Sequence, residues 1–228
     1  MRFSPKAVLR ASGALVLAGS ALAGPFPLAS GSSVASTATV LIPAGPFTMG
    51  SDSGPADERP AHRVDLPAFS IDRTPVTNAQ FAAFLNAVGP VGSRGERLFD
   101  IDDPDARIHA RDGKWVADKG FENHPVVEVS WAGARDYCAW VEKRLPTETE
   151  WEKAARGTDG RKYPWGNGPP DKTRAQFNAR YNQTVPVDSF PAGASPYGVL
   201  DMAGNGWEWV SSAFTCLILI MQAMAARI

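Results

Sequence analysis

Apolar and polar positions follow a regular period only over short stretches, with turn-forming residues between them. Val40 to Gly50 reads VLIPAGPFTMG; an apolar run, a Pro-Ala-Gly-Pro turn and a second run ending at Met49-Gly50 predict a hairpin. His62 to Phe69 alternates as a strand does. Thr77-Asn78-Ala79-Gln80 has the form of a capping box, and Phe81, Phe84, Leu85 and Val88 follow at helical spacing until Gly89-Pro90. Ser130 predicts the cap of a second helix with Trp131, Ala134, Cys138 and Val141 on its inner face. A third opens at Thr147-Glu148-Thr149-Glu150, turns Trp151, Ala154 and Ala155 inward and stops at Gly157.

The intervening segments read differently. Val91 to Asn123 has the look of a surface insertion, with an acidic run (Asp100, Asp102, Asp103, Asp105) and a hairpin tip at Asp112-Gly113. That run lacks the glycine and glutamate spacing of an EF-hand, so it is expected to be a solvated acidic face. Val126 to Val129 reads as a short buried strand. From Tyr163 onward, YPWGNGPP and PAGASPYG carry almost no helical period and predict long ordered loops pinned by side chains.

Composition narrows the picture. The 228 residues carry a formal net charge of -1, which excludes a polyanionic partner held by bulk charge. With 44% hydrophobic residues, Trp 7, Gly 21 and Pro 19, the chain should fold, rich in loops and held by buried indoles. Arg2, Lys6 and Arg10 followed by an apolar run to Ala23 read as a secretory signal over residues 1–23, with a flexible lead-in over 24–39. The mature protein is therefore expected to be exported, with no membrane span. Cys138 and Cys216 offer neither a disulfide scaffold nor a thiolate cluster, and Cys138 falls on an apolar helix face.

The most concentrated chemistry lies at Tyr197 to Trp209, YGVLDMAGNGWEW. Asp201 and Glu208 are carboxylates, and Gly204 and Gly206 let the backbone aim carbonyl oxygens inward. Such a set suits a hard cation such as Ca²⁺. On spacing alone it better suits a Gly-Asn turn between two strands, with Trp207 and Trp209 entering the core.

Six segments in order resemble the formylglycine-generating enzyme family, also called sulfatase-modifying factors: IPAGPFTMGS, PVTNAQFAAF, HPVVEVSWAGARDYCAW, KRLPTETEWEKAARG, YPWGN and LDMAGNGWEWV. The resemblance runs from about Ile42 to about Ser212 and implies an α+β fold. That fold is the formylglycine-generating variant of the C-type-lectin fold, with little regular secondary structure, here expected as an incomplete domain over residues 40–212. It also implies a structural Ca²⁺ held by Asp201, Gly204, Gly206 and Glu208. A second Ca²⁺ site would begin at Asn178 and Ala179. Full-length relatives oxidise a cysteine of an unfolded sulfatase to formylglycine with copper and O₂, the copper held by two cysteines near an Arg-Gly-Gly-Ser-Trp element. Neither that element nor the cysteine pair occurs in this sequence, and no catalytic residue carries over. Residues 213–228, AFTCLILIMQAMAARI, depart from the pattern, so a truncated or frameshifted C-terminal part is expected. Two functions stay open: an exported protein of the formylglycine-generating type acting on a sulfatase or other protein substrate, and a non-catalytic, Ca²⁺-stabilised, lectin-like binding module.

Overall fold

A computed structural model of the chain describes residues 37–177 and 184–212, together with two short strands near the N-terminus, β1 (Ala7–Val8) and β2 (Ser12–Gly13). The elements that follow are β3 (Thr39–Ile42), β4 (Gly45–Met49), β5 (His62–Leu66), β6 (Phe69–Asp72) and α1 (Asn78–Val88). Next come β7 (Ile108–Arg111), β8 (Lys114–Ala117), α2 (Trp131–Trp140), α3 (Glu148–Arg156) and β9 (Trp207–Glu208). The architecture is α+β, with small sheets ordered β2-β6-β3, β4-β5, β7-β8 and β1-β9. Among the described residues no helix is long and apolar enough to cross a membrane.

The helices form where their caps dictate. Thr77 Oγ1 accepts from Gln80 N at 3.3 Å while Gln80 Oε1 accepts from Thr77 N at 2.9 Å, a reciprocal box that opens α1. The same exchange between Thr147 and Glu150 opens α3, and the Arg144 guanidinium donates to both oxygens of Glu150 at 2.7 and 2.6 Å. Burial alone would raise the Glu150 carboxyl, but Arg144 and the Thr147 contacts outweigh it and hold the group below the usual carboxylate range.

Hairpin pairing follows long-range contacts. The sequence predicts β3 and β4 as neighbours, yet β3 pairs antiparallel with β6, Val40 opposite Ile71, and β4 pairs with β5, Phe47 opposite Val64. The turn between β3 and β4 is taken by α3: Lys153 Nζ donates to Pro43 O at 2.8 Å and Gly45 O at 2.7 Å. The stretch expected as a single strand from His62 to Phe69 divides after Leu66, where Pro67 removes a ladder donor.

The core has two parts. The larger gathers Phe81, Phe84, Tyr137 and Trp140 from α1 and α2, with Leu98, Phe99 and Ile108. The last three belong to the segment expected as a surface insertion, and each is fully buried. That segment threads the core because its backbone is claimed on both sides, Leu98 N donating to Pro90 O and Ser130 N to Leu98 O. Val126, Val127 and Val129 are buried as expected, but among the described residues they form no strand, and isolated bridges, Thr77 to Pro125 and Phe99 to Val129, flank them. Trp131 departs from its predicted inward face and is 39% exposed, its indole N–H donating to Val210 O at 2.9 Å. Ala134, Tyr137 and Cys138 line the buried side instead. The smaller core joins Ile42, Phe69 and Ile71 to Trp151, Ala154, Val199 and Met202, and it carries the loop that precedes β9.

Candidate metal loop

The chain reaches this loop through a tight turn. Ser195 Oγ accepts from Val199 N at 3.2 Å, and Leu200 N donates to Arg73 O at 2.8 Å, fixing the entry to the end of β6. Asp201, Gly204 and Asn205 then all take positive φ (57°, 90° and 62°), so successive peptide planes turn sharply. Gly204 is required twice over: beyond its φ, an added Cβ would lie 2.2 Å from Gln176 O.

Asn205 holds the loop shut. Its side chain donates to Val185 O at 3.0 Å and accepts from Val185 N at 2.9 Å, while its own N–H donates to Gln176 O at 3.0 Å. Its Nδ2 also lies 3.3 Å from Asp201 Oδ2. Sequence reasoning passed over Asn205; its signal was the Gly-Asn-Gly setting, where asparagine tolerates the left-handed region and bonds backbone.

Three indoles pin the rest of the assembly. Trp151 on α3 donates to Glu208 Oε2 at 2.7 Å, Trp209 to Val129 O at 2.8 Å, and Trp131 to Val210 O. Each indole places one N–H on a fixed acceptor, so together they set the height of the loop over α2 and α3.

Of the residues expected as metal ligands, Asp201 (7% exposed) and Glu208 (4%) are buried, while Gly204 and Gly206 are half-buried in the same loop. Asn178 and Ala179 lie outside the described residues. The donor chemistry of the loop fits a hard cation: two buried carboxylates, and carbonyls on a backbone bent by three positive-φ residues. The alternative of a Gly-Asn turn joining two strands is not formed, since the residues before the glycines are bends rather than strand and β9 pairs with β1.

A second acidic group comes from the run expected as solvated. Asp100 and Asp102 do face outward, paired with Arg97 at 2.8 and 3.0 Å. Asp103 and Asp105 instead turn toward Glu128, and one ligand oxygen from each of the three lies within 4.8 Å of the others. Glu128 is distant in sequence from that run, so spacing alone could not reveal the group.

Among the described residues no comparable set of soft ligands for copper is present. Cys138 is fully buried on α2, and burial, with the charge of Asp72 adding, pushes its thiol far up. Cys216 lies outside the described residues.

Residues 25–220 match the family described as the sulfatase-modifying factor enzyme 1-like domain. The chain is 43% identical over 175 residues to the serine/threonine-protein kinase Pkn1 of Chlamydia trachomatis serovar L2, an alignment covering 76% of this chain and 27% of that protein. It is 39% identical over 219 residues to the formylglycine-generating enzyme of Streptomyces coelicolor, covering 77% and 69%. Among solved structures, PvdO from Pseudomonas aeruginosa superposes with a TM-score of 0.59 at 30% identity, covering 78% of this chain and 71% of that one. The chain thus spans about a quarter of the chlamydial kinase and about two thirds of the formylglycine-generating enzyme.

Proposed function

Since the chain belongs to the sulfatase-modifying factor enzyme 1-like family, we propose that it is an exported protein of the formylglycine-generating type whose partner is an unfolded sulfatase or another protein segment. The relatives named formylglycine-generating enzymes support the partner class, and the basic, then apolar, N-terminal stretch supports export. The observation that carries the reading is the loop before β9, whose buried Asp201 and Glu208 and bent backbone suit a structural Ca²⁺. In this reading Asp201, Gly204, Gly206 and Glu208 hold the ion, which cross-links the loop and touches no substrate.

Copper chemistry does not fit the residues present. Cu(I) takes soft thiolates in pairs, and Cys138 is buried, protonated and far from solvent. The 228-residue chain is accordingly proposed as a family scaffold that does not itself oxidise cysteine. Incubation with Cu(I), O₂ and a peptide containing Cys-x-Pro-x-Arg is expected to yield no aldehyde and no oxygen uptake above the peptide-free control. Turnover by this chain would overturn that part of the proposal.

The Ca²⁺ site has its own test. Wild type is expected to melt higher in Ca²⁺ than in EDTA, by about 2.7 kcal/mol of stabilisation at a hundredfold excess over the dissociation constant. In Asp201→Asn and Glu208→Gln that increment should shrink or vanish. Glu208→Ala should also melt lower in EDTA, because Trp151 loses its acceptor, whereas the amide oxygen of Glu208→Gln can still accept. An increment that survives both substitutions removes this loop from calcium binding.

A second reading is a non-catalytic binding module. What favours it is the chlamydial kinase: the alignment occupies 27% of a protein named for another activity, so the module occurs there beside something else.

A further inference from the structure

Glu148 opens α3 and Glu152 follows one turn later, so both carboxylates share a helix face. Glu152 is 2% exposed, and its Oε1 accepts from Gly50 N at 2.8 Å and from the Arg156 guanidinium. Arg156 in turn donates to Gly50 O at 3.1 Å. Gly50 directly follows β4, so α3 grips the end of the β4-β5 hairpin through this carboxylate and its arginine. The remaining oxygens are left over: Glu152 Oε2 and Glu148 Oε1 are both buried without a hydrogen-bond partner. Two buried acceptors left unmet beside a like charge are destabilising, because neither recovers the hydrogen bonds it made to water.

We propose that Glu148 holds a proton that its orphaned oxygen presents to the orphaned oxygen of Glu152, and that loss of this proton loosens the β4-β5 hairpin from α3. A single proton removes one of two like charges and supplies the donor that both orphaned oxygens lack.

Among the described residues, the groups that face the pair come from α3, β5 and the segment after β9. From α3 itself comes Arg156, already committed to Glu152, to Gly50 O and, through Nε, to Arg161 O at 2.8 Å. From β5 comes His62, exposed, with Nδ1 2.9 Å from Pro60 O, which makes Nδ1 the protonated nitrogen of the neutral ring. From the described residues after β9 comes the neutral Ser212 hydroxyl, accepting from Glu148 N at 3.1 Å. Burial first, then the charge of Glu152, raises the Glu148 carboxyl above its ordinary value, with His62 opposing. A chelated metal is the weaker alternative. Among the described residues only Asp103, Asp105 and Glu128 bring three ligand atoms within 4.8 Å of one another, so His62, Glu148 and Glu152 do not converge on one ion.

The sign follows from linkage. A carboxyl raised in the folded state contributes stability that is complete below its unfolded value, about 4.3, and lost as pH rises through the folded value.

The direct experiment is a carboxyl ¹³C titration of the whole chain, with the Glu148 signal assigned by its absence in Glu148→Gln. Its midpoint is expected above the ordinary glutamate value; an ordinary or lowered midpoint overturns the proposal. Hydrogen exchange at Gly50 N–H, corrected for the intrinsic pH dependence, is expected to quicken as pH rises above the ordinary glutamate value in wild type, and to stay flat in Glu148→Gln. Parallel profiles in the two proteins would overturn it. So would a profile flattened by His62→Gln and not by Glu148→Gln, or Glu148-dependent stabilisation by Ca²⁺, Mg²⁺ or Zn²⁺. If Glu148→Gln fails to fold, selective glutamate labelling of wild type still gives the midpoint.

Discussion

Gly204→Ala is expected to be the most damaging single substitution in the loop before β9. An L-residue at its φ of 90° costs about 1–2 kcal/mol. The new methyl would also start 2.2 Å from Gln176 O, and that backbone can move only by breaking the bond from Asn205 N to the same oxygen. Displacing packed backbone adds about 1–3 kcal/mol. A comparable control lies at the β7-β8 tip, where Gly113 has φ 73° and nothing within 4 Å of an added Cβ. Thermal and urea melts of both variants separate the two costs. Gly113→Ala should show the conformational part alone, and Gly204→Ala should lose clearly more. Equal losses would mean that Gln176 does not confine the loop.

Phe81→Ala is expected to cost about 3–5 kcal/mol, the usual range for emptying a buried aromatic site. Phe81 is fully buried, and its ring centroid lies 5.2 Å from Phe84, 5.9 Å from Phe99 and 5.7 Å from Tyr137. It is where α1, α2 and the segment carrying Phe99 meet, so the cavity would be lined by rings from all three and could not collapse from one side. For a domain of this size each kcal/mol moves the melting temperature by roughly 2–4 °C. Leu41→Ala, at 57% exposure, should stay within about 0.5 kcal/mol. A Phe81→Ala loss as small as that of Leu41→Ala would mean the larger core is not packed around this ring.

The same contrast explains what could be read in advance. Caps and breakers act within a few residues, so Thr77 with Gln80, Thr147 with Glu150, and the stops at Gly89 and Gly157 appear in the chain as they do in the fold. The Asp112-Gly113 tip is equally local, both residues adopting the positive φ that a tight hairpin turn requires. The resemblance carried by LDMAGNGWEWV picked out the loop with buried carboxylates, because its carboxylates and glycines lie close together in sequence.

What was missed depends on partners far away in the chain. Whether Thr39–Ile42 joins β4 or β6 is decided by Lys153, more than a hundred residues on, which takes up the acceptors of the intervening turn. The burial of Leu98 and Phe99 is invisible in a polar, aspartate-rich context, since it arises from backbone bonds to Pro90, Glu128 and Ser130. Asp103 and Asp105 become a carboxylate group only when Glu128 is brought beside them. By itself, then, the sequence determined the helices, their ends, the turn at Asp112-Gly113 and the family, all properties of neighbouring residues. Tertiary structure alone decided strand partners, the course of residues 91–129 through the core, and which carboxylates are buried together. Those depend on where distant backbone donors and acceptors are satisfied, and no local period records that.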